Sequence, residues 1–325
     1  MRPSSLPKST EPLSRKKTRL TVGLRDEVLL CPNGTVPFKR VQKDDLLRGN
    51  ALLNQRHPKP GTPNEALPAG THYAAITTPE NNVFLQFFGA KTSLSVYNLT
   101  VDPQQISEVF LWIGIGVDGP YGSVEYGWTI NPGLYGDHEP RTYSLWTVDD
   151  KHTTGCYNAL CPGYVHVNQK RIMGGVAHPV SDPGKKVFAM VFSIFKDSKS
   201  GNWWLVEDFM SGKNEPMGYW PKELFPTLKY GAKVVQLGGK VYSPPNLHKY
   251  TPMGSGAFVV NDFLRTCYAS NIKFVNSDNM FHIPKTVPMQ LAADIPDTYK
   301  ADYLGDASLH HHPEREYTFL FGGPK

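Results

Sequence analysis

This sequence predicts an all-β fold, an antiparallel β-sandwich of two packed sheets, and three observations carry the prediction. The chain of 325 residues holds 6 Trp, 16 Tyr and 16 Phe, residue types that suit a pleated, half-buried surface. Its 28 prolines and 29 glycines place turn signals at close intervals. Between those signals run short segments of strand character with almost no helical periodicity, and many strands without intervening helices favour two packed sheets. At this length one large β domain preceded by an extra segment is sufficient.

Taken in order, residues 1–25 are polar and Pro/Ser-rich and predict a disordered tail, whose dense basic run Arg15-Lys16-Lys17 with Arg19 is read as solvated. Residues 26–65 hold the apolar patch Val28-Leu29-Leu30, a short helix over 44–53 and the start of a Pro-rich linker spanning 54–70, so a domain of residues 66–325 follows. Strands are expected over 72–77, 83–88, 91–99, 106–117, 124–130 and 142–148. Further strands are expected over 163–167, 186–195, 203–209, 233–242, 256–260 and 271–276. Asn131-Pro132-Gly133, Asp197-Ser198, Ser243-Pro244-Pro245 and Asp278-Asn279 punctuate them. Only 222–228 reads as helical, and Pro226 cuts it short.

Composition excludes several function classes. The formal net charge is +5, but acids and bases are interspersed, which argues against a nucleic-acid partner. No apolar run approaches the eighteen or so residues of a membrane span. The first twenty residues lack an apolar core of the kind an export signal needs, so export is not visible in the sequence. Cys156 and Cys161 are close enough to close a small disulfide loop, whereas Cys31 and Cys267 cannot be paired from sequence alone. Neither cysteine spacing nor His310-His311-His312, whose side chains alternate on an extended segment, has the form of a metal site. No Walker loop, dinucleotide fingerprint or nucleophile elbow is present, and Ser255 sits in a glycine turn. Trp112, Trp128, Trp146, Trp203, Trp204 and Trp220 are expected in the core and along a cleft wall.

The string from Gly127-Trp128-Thr129-Ile130-Asn131-Pro132-Gly133 to Asp137, followed by Thr154-Gly155-Cys156 through Cys161-Pro162-Gly163, resembles the signature of the neprosin family. Gly201-Asn202-Trp203-Trp204, Gly218-Tyr219-Trp220-Pro221, Met253-Gly254-Ser255-Gly256 and Phe321-Gly322-Gly323-Pro324 follow in the family's order, so the resemblance covers roughly 70–325. Cys31-Pro32-Asn33-Gly34 and Asp45-Leu46-Leu47-Arg48 resemble the family's activation segment, which implies a secreted precursor. The resemblance further implies a glutamic endopeptidase that cuts after proline, with no metal and no cofactor. Such chemistry needs two carboxyl groups in different protonation states, one to activate water and one to donate a proton.

Period-two alternation puts Glu125, Gly127 and Thr129 on one strand face, and Glu125 matches the family's first catalytic glutamate. The second glutamate, expected in a Trp-Gly-Gly-Glu-Val strand, falls in Val235-Gln236-Leu237-Gly238-Gly239-Lys240-Val241, where Gln236, Gly238, Lys240 and Tyr242 share a face and none is an acid. Phe110 stands where the family has a carbonyl-polarising glutamine. Two functions follow as expectations: a peptidase with an impaired centre, or a catalytically inactive module whose cleft, with Gly127, Thr129, Gly238 and Tyr242, binds a Pro-rich peptide or cell-wall carbohydrate. A Lys240–Glu125 ion pair is expected in either case.

Overall fold

The computed structural model describes residues 2–9, 23–24, 31–54, 70–79, 85–115, 121–149, 154–208, 214–283, 287–304 and 317–325. The basic run at 15–19, the apolar patch at 28–30, most of the linker and the three histidines lie outside these residues. Ahead of the main body, α1 (Lys43–Asn54) forms where the sequence predicts it. Asp45 reaches back to accept from the Gln42 amide at 2.9 Å, and Asp44 and Asp45 place negative charge at the helix N-terminus.

Seven antiparallel strands make the site sheet. They are β3 (Thr71–Thr77), β5 (Ile106–Ile115), β6 (Gly122–Ile130), β7 (Arg141–Thr147), β8 (Gly155–Tyr157), β14 (Val234–Tyr242) and β17 (Gln290–Ala293). Their order is β17-β3-β14-β5-β6-β7-β8. The back sheet has ten strands, with β4 (Gly89–Ser95), β11 (Ala189–Lys196), β12 (Trp203–Asp208), β13 (Asn214–Trp220) and β15 (Cys267–Val275) at its centre. The short strands β1 (Lys8–Ser9), β9 (Val165–His166), β16 (Met280–His282), β18 (Lys300–Tyr303) and β19 (Phe319–Gly322) complete it. A separate pair joins β2 (Gly23–Leu24) to β10 (Ala177–His178).

Alternation decides which face of each strand goes inward. Val109, Leu111 and Ile113 of β5, Val124, Tyr126, Trp128 and Ile130 of β6, and Val235 and Leu237 of β14 meet Leu94, Phe192, Ile194 and Leu205 of the back sheet in one apolar layer. Tyr126 packs edge-on against Phe192 with centroids 4.9 Å apart, which fixes the two sheets face to face. Trp128 and Trp203 are fully buried there, whereas Trp112 stands on the outer face of the site sheet and Trp204 on the far side of the back sheet.

Three expectations need correction. The segment 256–260 is a loop, because Gly254 and Gly256 both take positive φ and turn the chain away from a strand. Within 83–88 the described residues form a single bridge, Phe87 to Ala232. The helix expected at 222–228 is two 3-10 turns, Lys222–Leu224 and Pro226–Tyr230, because the residue before proline is pushed out of helical backbone and Phe225 sits at φ −124°, ψ 70°.

Candidate functional site

The outer face of the site sheet carries the chemistry. On β5 the period-two set is Ile106, Glu108, Phe110 and Trp112, and on β6 it is Ser123, Glu125, Gly127 and Thr129. β14 contributes Gln236, Gly238, Lys240 and Tyr242. Register sets their neighbours: Lys240 lies directly opposite Glu108, Glu108 opposite Thr129, and Phe110 between Gly238 and Gly127. Glu125 lies opposite Trp112 and Leu145, so it approaches Lys240 diagonally across the Phe110 row.

Gly127 makes that approach tight. A Cβ placed on it would stand 1.8 Å from the Val109 carbonyl oxygen, so no larger residue fits the local closeness of β5 and β6. Gly238 on the other side of Phe110 is equally confined, its Cβ position falling 2.3 Å from the Ala74 carbonyl oxygen. With neither glycine carrying a side chain, the Lys240 stem passes over Phe110, and its ammonium sits 5.3 Å from the ring centroid.

The result is a buried ion triad. Lys240 Nζ lies 3.1 Å from Glu108 Oε2 and 3.2 Å from Glu125 Oε1, with all three side chains at most 6% exposed. Tyr143 donates its hydroxyl to Glu125 Oε1 at 2.5 Å, and Tyr157 donates to Glu108 Oε1 at 3.1 Å. The two tyrosine rings stack with centroids 5.3 Å apart, so β7 and β8 hold both hydroxyls in one rigid pair. Burial alone would depress the Lys240 ammonium, but Glu108 and Glu125 outweigh it and raise its pKa, which keeps the group cationic. Burial raises the Glu108 carboxyl, with Lys240 opposing and Glu125 reinforcing the shift. Burial and the adjacent carboxylates raise both tyrosine hydroxyls well above their ordinary value, so they act as donors and not as bases.

The residues singled out in the sequence fall on this face. Glu125, Lys240, Phe110 and Gly127 come together, Thr129 stands beside Glu108, and Tyr242 lies two residues beyond Lys240. Gln236 shares the row of Trp112 and Glu125, opposite Trp112 and Thr77, and is buried, its side-chain oxygen without a hydrogen-bond partner among the described residues. Glu108, Tyr143 and Tyr157 belong to the same ion network and were missed by sequence reasoning. Glu108 was visible only as the one charge in the strand Ile106–Ile115.

Following β6, α2 (Pro132–Tyr135) forms from the turn signal at 131–133: Asn131 Oδ1 accepts from the Leu134 amide at 3.0 Å, proline opens the helix and Gly136 closes it at φ 78°. Leu134 thereby joins the aromatic cluster around Phe110 and Trp112. The Cys156–Cys161 disulfide closes the loop after β8, next to Tyr157. Cys31 and Cys267 are free, and burial pushes the Cys267 thiol up to about 12. Among the described residues no cluster of His, Cys, Asp or Glu could hold a metal ion, and no helix is long and apolar enough to cross a membrane.

A family model described as Neprosin matches residues 103–324. Among solved structures, the chain is similar to scytalido-glutamic peptidase with a transition state analog inhibitor, at 10% identity and a TM-score of 0.40, covering 79% of this chain and 99% of that one. It is also similar to SCP-B, a member of the Eqolisin family of peptidases in a complex with the tripeptide Ala-Ile-His, at 10% identity and a TM-score of 0.36, covering 79% and 98%.

Proposed function

Because this chain belongs to the neprosin family, we propose that its cleft binds proline-containing peptide and that Lys240 holds the hydrolytic centre off. The observation that carries this reading is the Lys240 ammonium, seated 3.2 Å from Glu125 where hydrolysis would require a second, proton-donating carboxyl. In a two-carboxyl mechanism one carboxylate takes a proton from water as its oxygen bonds to the scissile carbonyl carbon. The other carboxyl then gives a proton to the departing amide nitrogen as the C–N bond breaks. Lys240 cannot fill the second role, because the two carboxylates that raise its pKa make it a poor proton donor. Phe110 offers no hydrogen bond to the developing oxyanion, and loss of one such donor typically costs on the order of a hundredfold in rate.

Phe110, Trp112, Tyr121 and Tyr143 form a buried aromatic cluster beside the ion triad, and rings of this kind suit flat, apolar groups such as proline once the face is uncovered. The test is a fluorogenic Pro-containing peptide offered from pH 2 to 7, with binding followed in parallel by calorimetry against a Pro-rich peptide and a cell-wall oligosaccharide. Binding of the peptide without turnover is expected; binding of the oligosaccharide alone would reassign the ligand class.

One observation favours a second reading, an active peptidase: Glu108 and Glu125 are two carboxyls converging on one nitrogen, and burial raises that of Glu108. Cleavage by the unmodified chain that is lost in both Glu125→Gln and Glu108→Gln would establish it.

A further inference from the structure

We propose that Glu108 is the counter-charge that fixes Lys240 in the site, so that restoring an acid at position 240 revives the centre only when Glu108 is neutralised as well. The inference rests on the reading of a disabled centre given above. Its basis is the register: Glu108, not Glu125, is the direct cross-strand partner of Lys240. Lys240 pairs with both carboxylates at similar range, 3.1 Å to Glu108 and 3.2 Å to Glu125, so the direct opposition across the strands singles out Glu108. Both side chains are buried, at 3% and 6% exposure, so no solvent shell is available to absorb a change of sign at either one.

Lys240→Glu made alone would put like charges directly opposite each other on β14 and β5 and assemble three carboxyls around Phe110. Such a cluster retains protons. With the extra protons shared among three groups, Glu125 is no longer poised as the ionised partner that water activation requires. Glu108→Gln removes that conflict at almost no change in volume, and a glutamine oxygen still accepts from Tyr157, now 3.1 Å from Glu108. What remains is a two-carboxyl site over Gly127, with Glu125 still held by Tyr143.

The experiment compares the full chain with Lys240→Glu, Lys240→Glu/Glu108→Gln and the triple variant adding Glu125→Gln. Melting temperature at pH 7 and cleavage of a Pro-containing fluorogenic peptide from pH 2 to 7 are read for each. Lys240→Glu is expected to melt lower by about 10 °C and to stay inactive. The double variant should recover at least half of that shift and cleave, with activity lost in the triple variant. Recovered melting without cleavage would uphold the role of Glu108 and overturn the reading of a disabled peptidase. Lys240→Glu that melts as high as the double variant, or cleaves as fast, would overturn the role of Glu108, as would a double variant that fails to fold.

Discussion

A lysine at 5% exposure holds its charge only because two carboxylates surround it, and each carboxylate has in turn a tyrosine hydroxyl on its other side. Removing the cation therefore strands two acids in a buried site. Lys240→Met, which keeps the stem and loses the ammonium, is expected to cost about 3–5 kcal/mol of stability at pH 7. The cost should shrink at pH 4, where protonation of Glu108 removes one stranded charge. Urea unfolding at the two pH values checks this, and an equal cost at both would show that packing, not charge, sets the role of the lysine. Glu125 and Lys240 were legible in the sequence because motif and alternation together fix position and face. Glu108 was not, since a lone acid in an apolar strand reads as an outward surface residue until its neighbour across the sheet is known.

Strands with both faces occupied by distinct residue classes were the easiest to find. β6 is the clearest case, with Val124, Tyr126, Trp128 and Ile130 on one side and Glu125, Gly127 and Thr129 on the other. β16, β17, β18 and β19 were missed because each spans four residues or fewer, too short to show a period, and each is defined by the strand it pairs with. What no single sequence displays is which strands lie side by side. Alternation along β14 shows no acid on the Lys240 face, whereas Glu108 stands on β5 directly opposite Lys240. The closeness of β5 and β6 at Gly127 gives a test at this scale. Gly127→Ala must push the Val109 carbonyl away and should cost about 3 kcal/mol, read as a lower urea midpoint. An unchanged midpoint would mean that the strands separate freely there.

Across the molecule, a further buried acid lies behind the site, in the layer between the sheets. Tyr126 of β6 donates its hydroxyl to Glu207 of β12, and burial pushes the Glu207 carboxyl up to about 7, the tyrosine bond opposing. A carboxyl whose pKa rises on folding contributes stability that is complete below its ordinary value of 4.5 and lost as pH climbs through about 7. The contribution is about 3 kcal/mol, so the chain should melt higher at pH 4.5 than at pH 8, and Glu207→Gln should flatten that difference. A variant with the same pH profile as the parent would assign the dependence elsewhere. Glu125 and Tyr126 are thus consecutive residues bound to separate acid networks on opposite faces of one strand. Sliding β6 by a single position would turn Glu125 inward toward Glu207 and present the Tyr126 ring to the Lys240 ammonium. The two networks therefore proofread assembly: a misaligned sheet leaves charges without partners, and only the native alignment satisfies both sides at once.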